Sequence, residues 1–210
     1  MTHSLDAVLT AATVIPVLTV DRLADAAPLA RALAEGGLTV VELTLRTPVA
    51  LEALKAMQEA SPELIIGMGT ITTPDQAAAA AGAGAAFLVS PGLTADLARA
   101  LIETGAPALP GVATPGEALG ARQAGFRALK FFPAEPAGGI AALKALAGPL
   151  PELTFCPTGG IPRDKAADYL ALPNVACCGG SWIATPAQIA ARDWTAITDN
   201  ARFASQLTRA

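Results

Sequence analysis

The sequence predicts an α/β fold, a (β/α)8 TIM barrel in a single compact domain spanning residues 1–210. Three observations lead there. Apolar, β-branched runs alternate with Ala/Leu-rich helical patterns along the whole chain. Successive runs begin roughly 20–25 residues apart, the size of a short βα unit. The alternation continues through eight units, with no linker, charge run or composition shift to mark a second domain.

The elements follow in order. Residues 1–13 have helical character and give a short N-terminal helical segment. They lack the basic stretch, apolar core and cleavage site of a signal peptide, and His3 sits in a fraying terminus. Strands are expected at 14–20, 39–44, 64–68, 87–90, 108–110, 128–131, 154–157 and 176–179. Helices are expected at 23–35, 48–60, 95–103, 115–123 and 163–170, with Gly36-Gly37, Gly105 and Gly125 closing three of them. The Ala-rich piece 77–86 contains two glycines and reads as a helix end and turn. An open doubly wound sheet is the alternative, but no GxGxxG follows the first strand.

Composition narrows the function classes. The chain is 52% hydrophobic and 15% charged, enough to bury a substantial core. A net charge of −4 without a basic stripe argues against nucleic acid as a partner. Every apolar run is broken by Pro, Gly or charge, so none suits a membrane span. Cys156, Cys177 and Cys178 are odd in number, lack a CxxC spacing and lie in apolar runs, as reduced thiols of a cytoplasmic protein do. A single histidine argues against a zinc site or a Ser-His-Asp triad; a carboxylate-held magnesium is compatible with the count.

Parallel barrel strands are buried on both faces and should be apolar throughout, so polar residues in them need a reason. Side chains two apart share a face. By that parity Val40, Glu42, Thr44 and Arg46 form one set; Ile66, Met68 and Thr70 another; Ala128, Lys130 and Phe132 a third; Cys156 and Thr158 a fourth. Each set puts its polar member toward the C-terminal end of its strand, where active sites of this fold lie.

Lys130 is the sharpest anomaly. Of four lysines, Lys55, Lys144 and Lys165 fall on expected helices, whereas Lys130 sits in Ala-Leu-Lys-Phe-Phe-Pro. Desolvation favours the neutral amine, which is a nucleophile. Glu42, the one carboxylate inside an expected strand, is suited to move protons beside it. The plain alternative is a structural Lys130–Glu42 ion pair. Arg46 has the fork to hold a carboxylate or phosphate, or is a surface arginine. Thr70 is a donor to the same anion, or a turn cap. Gly159-Gly160 and Gly179-Gly180 follow the last two expected strands, each flanked by a hydroxyl, Thr158 and Ser181. Glycine lets a backbone approach an anion, and phosphate sites of such barrels favour these two loops.

Seven segments together resemble the 2-dehydro-3-deoxy-6-phosphogluconate (KDPG) aldolase and 4-hydroxy-2-oxoglutarate aldolase family. They are Val-Val-Glu-Leu-Thr-Leu-Arg-Thr (40–47), Gly-Met-Gly-Thr (67–70), Val-Ser-Pro-Gly-Leu (89–93), Leu-Pro-Gly-Val-Ala-Thr-Pro (109–115), Leu-Lys-Phe-Phe-Pro-Ala-Glu (129–135), Phe-Cys-Pro-Thr-Gly-Gly-Ile (155–161) and Gly-Gly-Ser-Trp (179–182). The resemblance spans almost the whole chain, with only peripheral differences such as the Pro-rich stretch 134–139. It implies a class I lyase needing no metal or other cofactor, with Lys130 as Schiff-base lysine and Glu42 as general acid/base. It implies that Arg46 and Thr70 hold a pyruvyl carboxylate, that Pro91 lines the pocket and that Phe132 packs beside the lysine. Thr158, Gly159, Gly160 and Ser181 would receive a distal phosphate. It further implies a cytoplasmic homotrimer acting on a small phosphorylated 2-keto-3-deoxy sugar acid. Rival readings are the galactonate-series aldolase, which differs at C4 of its substrate, a phosphate-binding barrel isomerase or synthase, and a non-catalytic phosphosugar-binding barrel. Only the aldolases need Lys130.

Overall fold

The computed structural model describes residues 4–209, so the expectation for His3 lies outside the described residues. Helix α1 (Leu5–Ala11) is capped by Ser4 and leads into strand β1 (Val14–Leu18). The alternation then runs α2 (Ala26–Glu35), β2 (Val40–Thr44), α3 (Ala50–Ala60), β3 (Ile65–Gly69), α4 (Pro74–Gly82), β4 (Leu88–Val89), α5 (Ala95–Glu103), β5 (Ala108–Leu109) and β6 (Gly111–Val112). It continues with α6 (Pro115–Gln123), β7 (Ala128–Phe131), α7 (Gly139–Ala147), β8 (Thr154–Pro157), α8 (Ala166–Leu170), β9 (Cys178–Gly180), α9 (Pro186–Ala191) and α10 (Trp194–Ser205).

All pairings are parallel. One run of neighbours is β5-β4-β3-β2-β1-β9 and the other β6-β7-β8. Pro110 alone separates β5 from β6, so the expected strand 108–110 extends to Val112 with a break at a residue that has no N–H for the ladder. Single bridges, Phe155↔Val175 and Thr158↔Gly179, join the β8 region to the segment containing β9. The sheet is thus a curled parallel one with helices on its convex side.

Two cores follow from the alternation. Leu18, Val41, Leu43, Ile66, Met68, Leu88, Leu129, Phe131 and Phe155 point outward and pack with the helices. Ile15, Val40, Phe87, Val89, Leu109, Ala128, Cys156 and Cys177 point to the concave side, where Val8 and Leu9 of α1 join them. Arg209 Nη2 donates to the carbonyls of Leu9, Thr10 and Ala12 at 3.0–3.1 Å, closing the C-terminal end of that helix.

The expected face of β3 is corrected. Ile66 and Met68 belong to the outer core, and Gly67 and Gly69 face inward. A Cβ on Gly67 would stand 2.4 Å from the Phe87 ring, so this strand is inwardly bare because its neighbours fill the space. The expectation of a helix end and turn at 77–86 is met: α4 ends at Gly82 and the turn follows at Gly84, φ +89°. The helix begins earlier, where Thr73 accepts from the Gln76 N–H and Pro74 occupies the first turn. The expected helices 23–35 and 163–170 both begin as 3-10 turns, Leu23–Asp25 and Arg163–Lys165. The stretch 134–139 is not peripheral, since its backbone bonds to the loop after β8.

Candidate active site

Lys130 lies between Leu129 and Phe131, both fully buried in the outer core, so strand alternation turns its side chain to the concave face. Glu42 reaches the same space from β2, between Val41 and Leu43. Lys130 Nζ donates to Glu42 Oε1 at 2.9 Å and to Oε2 at 3.2 Å. The side chains are 6% and 5% exposed. Removing one partner of such a pair leaves a buried charge uncompensated, at a cost of about 3–5 kcal/mol. Gly69 provides the room: a Cβ there would stand 2.1 Å from Glu42 Oε1.

Cys156 is the register partner of Lys130 across β7–β8. A hydrogen bond from the Cys177 thiol, with burial opposing and the Lys130 charge assisting, draws the Cys156 thiol below its usual range; Cys177 is pushed up in return. Thr158, the next inward residue, is buried and lies 3.8 Å from Cys156 Sγ. It fits because Gly179 has no side chain, a Cβ there falling 2.4 Å from Thr158 Oγ1. The Phe132 ring centroid is 5.3 Å from Lys130 Nζ, within cation–π range.

Arg46 stands two residues beyond β2 and is exposed. Its Nε donates to Thr70 Oγ1 at 3.0 Å. Thr70 does not arrive by alternation; its φ of +62° is rare for a β-branched residue and swings the hydroxyl to Arg46. Pro91 follows β4 and is half-buried; Gly111 lets its backbone pass, since a Cβ there would meet the Pro91 carbonyl carbon at 2.3 Å. Gly159 and Gly160 follow β8 with φ of +102° and +79°, and Ser181 follows β9 and is exposed.

The fold therefore joins Lys130, Glu42 and Phe132 by direct contact, and Arg46 with Thr70 by a hydrogen bond. It sets Pro91, Thr158, Gly159, Gly160 and Ser181 at the same C-terminal strand ends. Sequence reasoning placed Cys156 in an inward set but missed its register beside Lys130, and it missed the space-making roles of Gly69, Gly111 and Gly179. The ladder register reveals them, and no single strand carries that signal. Among the described residues, no group of three or more His, Cys, Asp or Glu is placed to hold a metal ion. No helix among them is long and apolar enough to cross a membrane.

Residues 5–200 match the family model described as "Aldolase: KDPG and KHG aldolase". The chain belongs to the KDPG and KHG aldolase family. Its relatives in that family include 2-dehydro-3-deoxy-phosphogluconate aldolase of Pseudomonas aeruginosa, 47% identical over 93% of this chain and 89% of the relative. KHG/KDPG aldolase of Escherichia coli K12 is 45% identical over 96% and 94%. Among solved structures, KDPG aldolase of Legionella pneumophila, with pyruvate captured at low pH as a covalent carbinolamine, superposes with a TM-score of 0.93; it is 46% identical, covering 96% of this chain and 98% of that one. In this member of the KDPG and KHG aldolase family a buried amine therefore lies within hydrogen-bond distance of a buried carboxylate.

Proposed function

We propose that this chain is a class I aldolase. It cleaves 2-dehydro-3-deoxy-6-phosphogluconate to pyruvate and glyceraldehyde 3-phosphate and acts also on 4-hydroxy-2-oxoglutarate. The observation that carries the reading is the buried contact between Lys130 Nζ and Glu42 Oε1 at 2.9 Å at the C-terminal strand ends.

Glu42 takes a proton from Lys130, and the neutral amine attacks the C2 ketone. The carbinolamine loses its hydroxyl as water, with Glu42 returning the proton. The resulting iminium is an electron sink. Glu42 then accepts the C4-hydroxyl proton, the C3–C4 bond breaks, and glyceraldehyde 3-phosphate leaves a pyruvate enamine. Protonation at C3 and hydrolysis free pyruvate and the amine. Arg46 and Thr70 hold the pyruvyl carboxylate so that C2 faces Nζ, an orientation effect. Pro91 lines the pocket and Phe132 packs beside the lysine. Thr158, Gly159, Gly160 and Ser181 take the distal phosphate, where glycine backbone and hydroxyls admit an anion.

The fold that supports this chemistry is a closed (β/α)8 barrel in one domain over residues 1–210. The Pro110 break inside one strand and the single bridges joining the β8 region to the segment containing β9 support closure. A homotrimer and a cytoplasmic setting belong to the same reading; three free cysteines suit a reducing compartment, and light scattering tests the trimer. Purified protein with the phosphorylated substrate should release pyruvate, read by coupling to lactate dehydrogenase. Ligand binding without pyruvate release would instead make it a phosphosugar-binding barrel. Parallel assays on the galactonate epimer settle C4 preference.

A further inference from the structure

We propose that Glu135 and Tyr169 are positioning residues for the distal-phosphate loop, holding the 158–160 backbone so that the Gly159 and Gly160 amides face the anion. The proposal rests on the reading above that this loop receives phosphate.

The turn after β7 lies against the glycine loop. The Ala134 N–H donates to the Thr158 carbonyl at 2.8 Å, and the Glu135 N–H donates to the Gly159 carbonyl at 3.1 Å. In a trans peptide the N–H points opposite to the carbonyl of the same unit. Pinning the Thr158 and Gly159 carbonyls to the turn therefore aims the Gly159 and Gly160 N–H groups the other way. Among the described residues neither of these two N–H groups has an acceptor. Both glycines are needed in their positive-φ states, and they also fit tightly. A Cβ on Gly159 would lie 3.1 Å from the Phe132 ring, and one on Gly160 3.0 Å from Glu135 Cβ.

The turn is itself tied down by its carboxylate. Glu135 Oε1 accepts from the Tyr169 hydroxyl at 2.5 Å, and Oε2 lies 3.7 Å from Lys165 Nζ. Tyr169 is fully buried in α8, the helix that follows the glycine loop. The chain thus forms a circuit: the loop leans on the turn, the turn on Tyr169, and Tyr169 on the helix leading back to the loop. Burial, then the Glu135 carboxylate, push the phenol above its usual range, so it remains a donor throughout the working pH. The circuit also answers an electrostatic problem. A carboxylate next to a site for a phosphate dianion repels it, and here Tyr169 and Lys165 engage that carboxylate.

Tyr169→Phe removes the hydroxyl and keeps the ring. Losing one hydrogen bond that acts through a second group should raise KM for the phosphorylated substrate about three- to tenfold. Its kcat, and both constants for 4-hydroxy-2-oxoglutarate, which has no phosphate, should stay within about twofold. Glu135→Gln keeps an acceptor for Tyr169 and removes the charge, so its KM for the phosphorylated substrate should remain within about twofold of the parent. A rise in KM shared by both substrates in Tyr169→Phe, or no rise for either, overturns the positioning role. So does a Glu135→Gln variant as impaired as Tyr169→Phe. Parent protein inert on the phosphorylated substrate overturns the proposed function, and this role with it.

Discussion

The two ends of the concave face are built from the same strands but from opposite chemistry. At the N-terminal end Ile15, Val40, Phe87, Leu109 and Ala128 pack against Val8 and Leu9 of α1. One step of two residues along β2 changes Val40 to Glu42, and one step along β7 changes Ala128 to Lys130. The lower layer is a dry plug that needs only volume. The upper layer holds a buried ion pair that apolar residues of similar size would replace without loss of stability. The contrast separates residues that make the scaffold from residues proposed to carry the chemistry.

Four substitutions test that division. The largest effect is expected from Lys130→Met, which removes the amine proposed to form the imine. Pyruvate release should fall to background while circular dichroism stays that of the folded parent; retained turnover would end the assignment. Glu42→Gln comes next. It should slow turnover about 10²–10⁴-fold by removing the proposed proton carrier, yet still form some imine with pyruvate. Equal loss of imine in the two variants would merge their roles.

Phe87→Ala tests the other end. Emptying a fully buried ring site should cost about 3–5 kcal/mol in denaturant unfolding, with kcat per folded molecule within about twofold. A collapse of kcat without loss of stability would erase the division between layers. The smallest effect belongs to Ser181→Ala. Loss of this proposed donor to phosphate should raise KM about tenfold for the phosphorylated substrate and leave 4-hydroxy-2-oxoglutarate unmoved.

The sequence made the upper layer readable where a polar side chain interrupts an apolar run. Glu42, Lys130 and Thr158 emerge this way, and strand parity brings them together. Parity fails in β3, because the inward residues there are Gly67 and Gly69 and have no side chain to read. Ile66 and Met68 then look like the important set although they face the helices. Thr70 has the right neighbours for the wrong reason, since a left-handed backbone and not strand geometry delivers it to Arg46. The first turn of α4 does carry a cap signal in Thr73-Pro74-Asp75-Gln76, which the glycines at 82 and 84 obscure. The contact of 134–135 with the glycine loop leaves no local trace, because backbone hydrogen bonds between distant segments depend on no side-chain pattern.

In the proposed mechanism one lysine of four, Lys130, forms the covalent intermediate. Incubation with pyruvate and sodium borohydride, followed by proteolysis and mass spectrometry, tests it directly. A reduced pyruvyl adduct is expected on the peptide carrying Lys130 and none on Lys55, Lys144 or Lys165. An adduct on any of those three, or no adduct in protein that releases pyruvate, would contradict it.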